Sequence, residues 1–400
     1  MREMFEIVLS TKSNTFATLY LPATPYAVQD AMSKLQLDEG EAPVWDLMDR
    51  IGFDELSDCI DHQGNPLGMN ALVQKLSEMD GRQRTAFAAL LTMEPGEGRE
   101  PIPLPRLVDL AYHAETCEVI DAMNDGQLGR YYAENGIVFH GQDIPADIFE
   151  LLDFEYIGRS VRKNEGGVFV ERTMEHPGGC VMQRQELKPI YQELDLVPKE
   201  PDYTVLLELS KGFFNDPDYD SEKAVRLKLP AAEYAIDAAL TELDVADWDE
   251  VGWTCLDCRV PSLIDLITDE EDPHTIIASA QKLEAVPVDQ LTMYKALMEV
   301  ADHDCLDSAL GLIDGLSQYS LSPQVRIPED AARAYLDQLL PQKELEYIRP
   351  YINWPDLGQI LLEDHGGALT EYGFLERKDG QPLLIELNHE TSQMGGMNFE

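Results

Sequence analysis

LLDFEYIGRSVRKNEGGVF, residues 151–169, is nearly restated two hundred residues later as YINWPDLGQILLEDHGGAL, residues 351–369. Glycine falls on glycine at 158 and 358, and the Gly-Gly pair at 166–167 falls on the pair at 366–367. An aromatic follows an acid or amide in both, Asp153-Phe154 and Asn353-Trp354. The first copy reads as a short helix, with Gly166-Gly167 opening a strand, GVFVERTM. Working outward, the echoes continue. YTVLLELSK (203–211) answers FEIVL, and AVRLKLPAAEYAIDAALTEL (224–243) answers FATLYLPATPYAVQDAMSKL (16–35). QKLEAVPVDQLTMYKALMEV (281–300) answers QKLSEMDGRQRTAFAALLTM (74–93), and IPEDAARAYLDQLL (327–340) answers IPADIFELL (144–152). Four or more matches in the same order make a tandem duplication. Two long copies are too few for a solenoid of short repeats. They point to a fused pseudo-dimer.

Within the first copy, residues 5–21 predict two strands around the polar Lys12-Ser13-Asn14. Thr24 as N-cap and Pro25 at the first helical position predict a helix through Leu35, with Val28, Met32 and Leu35 at helical spacing. Residues 43–60 predict a further strand or turn and a short helix. From Asn70 the apolar period becomes helical. NALVQKLSEM, RQRTAFAALLTM, LPRLVDLAYHA and GQLGRYYAENG form a small bundle broken by Asp80-Gly81, the stretch 95–105 and Asn124-Asp125-Gly126. IPADIFELLDFEYIGRSVRK adds a helix, a turn and a second helix. The proline-rich stretch from 177 to 202 reads as a linker.

The expected class is therefore α+β, an elongated multi-domain chain of two units. Each has a small β-rich N-terminal part, a helical middle and a small α/β C-terminal part. The boundaries read 1–176 for the first unit (1–62 β-rich, 63–125 helical, 126–176 α/β), 177–202 for the linker, 203–380 for the second unit and 381–400 for a tail. A chain of 400 residues, 44% apolar, is long enough for two to four domains with sizeable cores.

Charge is the outlier. Seventy-five acids face 30 bases, a net of −45 with a pI near 4.3. The first 200 residues carry 35 acids and 17 bases, the rest 40 and 13, so this is not an acidic tail. Such a field repels nucleic acid and anionic membranes and opposes compaction. No direct nucleic-acid binding and no membrane association are expected. The start, MREMFEIVLSTK, lacks the apolar segment of a signal peptide, no apolar run spans a bilayer, and six scattered cysteines fit a reducing cytoplasm.

Motifs for chemistry fail one by one. Cys255-Leu-Asp-Cys258 has no second pair to complete a zinc site. Asp216-Pro-Asp-Tyr-Asp220 starts like a calcium loop, but Ser221 and Leu227 stand where Gly and Glu are required. His389-Glu390 lacks the second histidine of a zincin helix. No phosphate loop or nucleophile elbow occurs. No catalytic residue, metal or cofactor is expected, and the protein does not read as an enzyme.

The acids themselves remain. They cluster as Asp38, Glu39 and Glu41; Asp54, Glu55 and Asp58; Asp153 and Glu155; Asp244, Asp247, Asp249 and Glu250; Asp269, Glu270, Glu271 and Asp272; and ADHDCLD at 301–307. Acids three or four apart on a helix stand about 5–6 Å from one another. DNA presents a phosphate every ~3.4 Å along one strand. Carboxylates on folded elements can therefore resemble a line of phosphates and occupy a basic DNA groove. Taken singly, each acid reads as an ordinary solvated position.

LDFEYIGRSVRKNEGGVF, preceded by IPADIFELL and QLGRYYAENG, resembles the C-terminal region of the ArdA antirestriction family. LGMNALVQKLSEMDGRQRTAFAALL resembles its helical middle. The resemblance covers roughly residues 3–176. It implies an elongated acidic protein of mobile genetic elements, acting in the host bacterial cytoplasm. Such a protein mimics bent DNA and occupies the DNA site of Type I restriction-modification enzymes without catalysis. It also implies that Asp153, Phe154, Glu155, Gly158 and Arg159 form a family motif near a subunit contact, in a homodimer or an intramolecular pseudo-dimer. The second copy departs from the motif, with Pro355 and Gln359 at the positions of Glu155 and Arg159. The expected partner is a Type I restriction-modification enzyme or another DNA-binding defence protein. The alternatives are an acidic non-enzymatic adaptor that binds through one specific patch, and a metal-dependent enzyme using the acid clusters.

Overall fold

The computed structural model describes residues 5–383 except 13–14, 38–40, 51, 54–55, 57–58, 61–63, 95–100, 138–144, 199, 213–219 and 302. The described residues form an α+β structure with four small three-stranded sheets.

The first sheet is built from β1 (Phe5–Ser10), β2 (Phe16–Leu21) and β3 (Val44–Arg50), in the order β2-β1-β3. Strict alternation in β1 buries Phe5, Ile7 and Leu9. Between β2 and β3 runs α1 (Pro25–Leu35), started as its sequence predicts: the Thr24 hydroxyl accepts from the Ala27 amide, and Pro25 occupies the first turn. The helical middle follows as α2 (Pro66–Ser77), α3 (Gly81–Met93) and α4 (Leu104–His113). Asp80 caps α3 through a reciprocal hydrogen bond with Gln83. The last part holds β4 (Glu118–Ile120), α5 (Asp125–Glu134), α6 (Ala146–Phe149), α7 (Phe154–Glu165), β5 (Val168–Val170) and β6 (Gly179–Met182), with sheet order β4-β6-β5.

The same succession then recurs. A sheet of β7 (Val205–Lys211), β8 (Asp220–Leu229) and β9 (Val251–Cys258) has the order β8-β7-β9, with α8 (Glu233–Glu242) between its second and third strands. Helices α9 (Pro273–Glu284), α10 (Val288–Val300) and α11 (Leu306–Gly311) follow. Then come β10 (Tyr319–Ser322), α12 (Pro328–Leu339), α13 (Gln342–Ile348), α14 (Trp354–His365), β11 (Ala368–Thr370) and β12 (Gly373–Arg377), with sheet order β10-β12-β11. Small irregularities recur as well. The β1–β3 register slips between Glu6 and Ile7, and the β7–β9 register slips between Leu206 and Leu207. Trp45 and Trp253, at matching places in that register, each donate an indole N–H to a backbone carbonyl, Gly64 at 3.1 Å and Thr268 at 3.0 Å.

The glycines of the opening quotation have distinct tasks. At Gly158 the α5 and α7 backbones touch: a Cβ there would sit 1.8 Å from the Asp125 carbonyl oxygen, and one on Gly129 would sit 1.8 Å from that of Phe154. Gly358 repeats this against Pro328, the first residue of α12. Gly166 and Gly366 end α7 and α14 in the left-handed region, φ 66° and 65°, which an L side chain disfavours. The crossing at Gly358 makes α12 the packing counterpart of α5. In sequence 327–340 matches 144–152, where α6 lies, because the Ile-Pro-x-Asp start is shared while helix packing leaves no mark in local composition.

Two further differences from the sequence reading concern long-range pairing. Within 177–202, read as a linker, Gly179–Met182 is the fully buried central strand of the β4-β6-β5 sheet. Four residues are too few to show alternation beside flanking prolines and glycines. The chain also forms two compact units that do not follow the copies in order: the first comprises β1, most of β2, β3 and the elements through β6, and the second comprises α1 together with β7 to β12. Helix α1 thus belongs with the second copy. Thr24 and the Tyr26 amide donate to the buried Asp257 carboxylate at 2.6 and 3.3 Å, while the Tyr26 hydroxyl donates to the Tyr203 carbonyl. Further along α1, Asp30 is buried against Lys295 at 2.7 Å and accepts from the Tyr372 hydroxyl at 2.8 Å. Arg326 donates to the Lys34 carbonyl at 2.7 Å, closing the helix's C-terminal end.

Candidate acidic interface

Of the acids singled out in the sequence, Asp38, Glu39, Asp54, Glu55 and Asp58 lie outside the described residues. Glu41 is half-exposed in the first unit. Eight others, Asp244, Asp247, Asp249, Glu250, Asp269, Glu270, Glu271 and Asp272, lie in the second unit, in two sequence clusters. Asp244, exposed with φ 57°, follows α8. Asp247 caps a short 3-10 helix, Trp248–Glu250, by accepting from the Asp249 amide at 3.0 Å. Asp249 and Glu250 are exposed. Asp269 and Glu271 are half-buried, Glu270 and Asp272 exposed, and Asp272 caps α9 by accepting from the His274 amide at 2.8 Å.

The fold brings parts of both clusters to one place. Asp249, Asp269, Glu271 and Asp272 line a cleft of about 540 Å³ together with Trp248, Trp253, Pro273 and His274. The two indoles meet edge to face at 5.7 Å. Carboxylates around aromatic faces make a setting for a guanidinium or ammonium group. Trp248, Trp253 and His274 were absent from the sequence expectation, although both tryptophans sit in or beside the acidic run DVADWDE. Asp244, Asp247 and Glu250 flank the cleft in sequence and do not line it. Among the described residues, no group of three or more His, Cys, Asp or Glu is arranged to hold a metal ion.

Two of these acids are helix caps, so backbone hydrogen bonds fix the position of their charge. Positive charge, by contrast, is largely engaged within the chain. Even one-to-one pairing of all 30 bases leaves 45 carboxylates unmatched. In the second unit Lys228 pairs with Asp202 at 2.7 Å, Lys282 with Asp314 at 2.9 Å and Arg377 with Asp379 at 2.7 Å.

The motif around α7 is occupied the same way. Asp153 caps the helix, accepting from the Tyr156 amide at 2.9 Å. Glu155 and Arg159 pair one turn apart, and Arg159 also approaches Asp125 at 3.8 Å. Arg162 holds Asp125 at 2.7 Å, and its hydrogen bond keeps that carboxyl below the usual range. The Phe154 ring packs on Phe149 and beneath the Arg130 guanidinium. Every charged group of the motif is therefore held by its own unit. In the second copy Gln359 donates to Glu363 at 2.9 Å, one turn along α14.

Cys255 and Cys258 are buried, and burial pushes both thiols up, Cys258 to about 12. The expectation for 216–220 lies almost entirely, and that for 389–390 wholly, outside the described residues. Among the described residues no helix is long and apolar enough to cross a membrane. No protein-family model matches this chain, and no curated protein is significantly similar to it in sequence.

Proposed function

We propose that the protein is a DNA-mimic antirestriction protein of two tandem ArdA-like units. It occupies the DNA-binding groove of a Type I restriction-modification enzyme and excludes the DNA. The observation that carries this reading is the surplus of 45 carboxylates over bases, with exposed acids such as Asp247 and Asp272 fixed as helix caps and many of the basic side chains paired within the chain. A mimic must hold its charges in place before binding, as a duplex holds its phosphates. Asp247 and Asp272 meet that need through their caps. Basic grooves bind DNA largely by neutralising phosphates, and a rigid acidic surface competes for the same lysines and arginines. The repeated element order supports the tandem arrangement, and the ArdA resemblance rests on the quoted residues.

The test is competition. The protein is titrated into a Type I restriction-modification enzyme bound to labelled cognate DNA at about 50 mM and about 300 mM salt, because such contacts weaken steeply as salt rises. Displacement that is stronger at low salt supports the proposal. No displacement at either salt removes this target. One observation favours the adaptor reading: Val44 and Met48 are exposed on β3, and Tyr20 on β2. Neutralising acids one at a time separates the two. A mimic loses inhibition in steps, while an adaptor ignores most changes and fails at one hot spot.

A further inference from the structure

The chain contains one helix whose outer face is covered and a second, matching helix, packed on its own core through Ala239 and Leu240, whose outer face is exposed. Helix α1 and helix α8 are counterparts, LPATPYAVQDAMSKL at 21–35 and LPAAEYAIDAALTEL at 229–243. The outward face of α1 is covered by residues of its own compact unit. Tyr26 is buried, its ring edge-on to that of Tyr203 at 5.6 Å, and Asp257, only 1% exposed, accepts from Thr24 and from the Tyr26 amide. Asp257 thus places a carboxylate at the amino end of α1, where unpaired amides favour it.

The register identifies the same seat in the first sheet. Asp257 lies opposite Leu206 just before the slip in β7–β9, and Asp49 lies opposite Glu6 just before the slip in β1–β3. Asp49 is therefore the counterpart of Asp257, and Met48 that of Leu256. Asp49 is exposed and Met48 is 62% exposed, although Leu256 is half-buried. On α8, Tyr234 matches Tyr26 but is 78% exposed. Its N-cap residue, Ala232, offers no side-chain acceptor to the first amides. Among the described residues one carboxylate seat and one helix are thus left exposed, matching the Asp257 and Tyr26 parts of the joint that α1 makes; the register counterpart of Tyr203, Glu3, lies outside the described residues.

We propose that α8 of one molecule docks on the β3 seat of a second copy of this chain. Asp49 takes the place of Asp257 at the helix amino end, and Tyr234 covers Met48. The joint links two different patches, so it propagates head to tail into dimers and longer chains. It lacks the far clamp of the α1 joint, because Ala238 and Ala88 stand at the positions of Asp30 and Lys295. Assembly therefore needs high protein concentration. It also strengthens with salt, which screens the repulsion between molecules of net charge −45. This salt response is opposite in sign to that of the DNA-mimic contact, so the two proposals fail independently.

Sedimentation velocity of the full chain from about 1 to about 300 μM, at about 50 and about 500 mM salt, tests it across the range where repulsion is screened. The expected result is a monomer at low concentration and growing species at high concentration and high salt. Tyr234→Ser retains the seat and loses the helix anchor; Asp49→Lys retains the helix and loses the seat. Each variant alone weakens association at least about tenfold, as loss of an interface anchor does. Their mixture forms a dimer that stops at one joint. Both positions are exposed, and unchanged circular dichroism confirms folding. A wild type that stays monomeric throughout overturns the proposal. So does a variant that assembles like wild type, or a mixture that fails to dimerise.

Discussion

The buried pair Asp30–Lys295 ties α1 to the second compact unit, and a double-mutant cycle measures that tie. The ammonium lies 2.7 Å from Asp30 Oδ1, with the two side chains 7% and 9% exposed. Lys34 approaches the other carboxylate oxygen at 3.2 Å, and the Tyr372 hydroxyl donates to both oxygens at 2.8 and 3.0 Å. Removing one partner of a buried pair strands the other and costs about 3–5 kcal/mol. Lys295→Met leaves Asp30 with Lys34 and Tyr372, so its cost belongs at about 3 kcal/mol. Asp30→Leu leaves Lys295 with no other carboxylate within ion-pair distance among the described residues, so its cost approaches about 5 kcal/mol. The double variant strands neither charge of the pair. It retains only the unmet Tyr372 hydroxyl, about 1–3 kcal/mol. The three values imply a coupling of about 5–7 kcal/mol. Urea unfolding followed by tryptophan fluorescence reads the effect, because Trp248, Trp253 and Trp354 all lie in that unit. A single variant within about 0.5 kcal/mol of wild type, or strict additivity, would refute the placement of α1.

Gly158→Ala and Gly358→Ala each force a Cβ to within 2 Å of a helix carbonyl, and each should cost about 3 kcal/mol or more in thermal unfolding. Gly166→Ala meets no atom within 4 Å and should cost only about 1 kcal/mol of left-handed strain. Stability should also carry two opposed pH dependences. Burial alone would raise the Asp30 carboxyl, but Lys295 and Lys34 outweigh it and hold the group low, so its contribution is present above about pH 4 and lost on further acidification. Burial raises the Asp257 carboxyl against the opposing hydrogen bonds, so its contribution is present below about pH 4 and lost as pH rises through its folded value. Urea titrations should show Asp257→Asn gaining on wild type toward neutral pH, and an unchanged difference across the titration would count against the burial argument. Under native conditions near pH 8 the exposed Cys305 should react first with a thiol reagent, while Cys180, Cys255 and Cys258, buried and raised, should wait for unfolding. Early labelling of Cys258 would show that β9 opens.

Local signals were legible in the sequence because each needs only a few neighbouring residues. Thr24 and Pro25 start α1, Asp80 and Gly81 start α3, and Gly166 and Gly366 stop α7 and α14 as their residue types require. The α+β class and the repeated order followed from the same periodicities. What local pattern cannot carry is the choice of partner. Nothing in the residues around Asp30 marks it for burial against Lys295, 265 positions on. Gly179–Met182 reads as linker until β4 and β5 pair on either side. Likewise, the acids of 244–250 and of 269–272 are two separate runs in the sequence, and only the path through β9 and the 3-10 helix Pro261–Leu266 brings Asp249 to the same cleft as Asp269, Glu271 and Asp272, around two tryptophans. Composition determined the magnitude of the charge, since 75 acids against 30 bases leave a surplus in any fold. Tertiary structure decided where that charge is held, because long-range pairing, burial and backbone capping act on residues far apart in the chain.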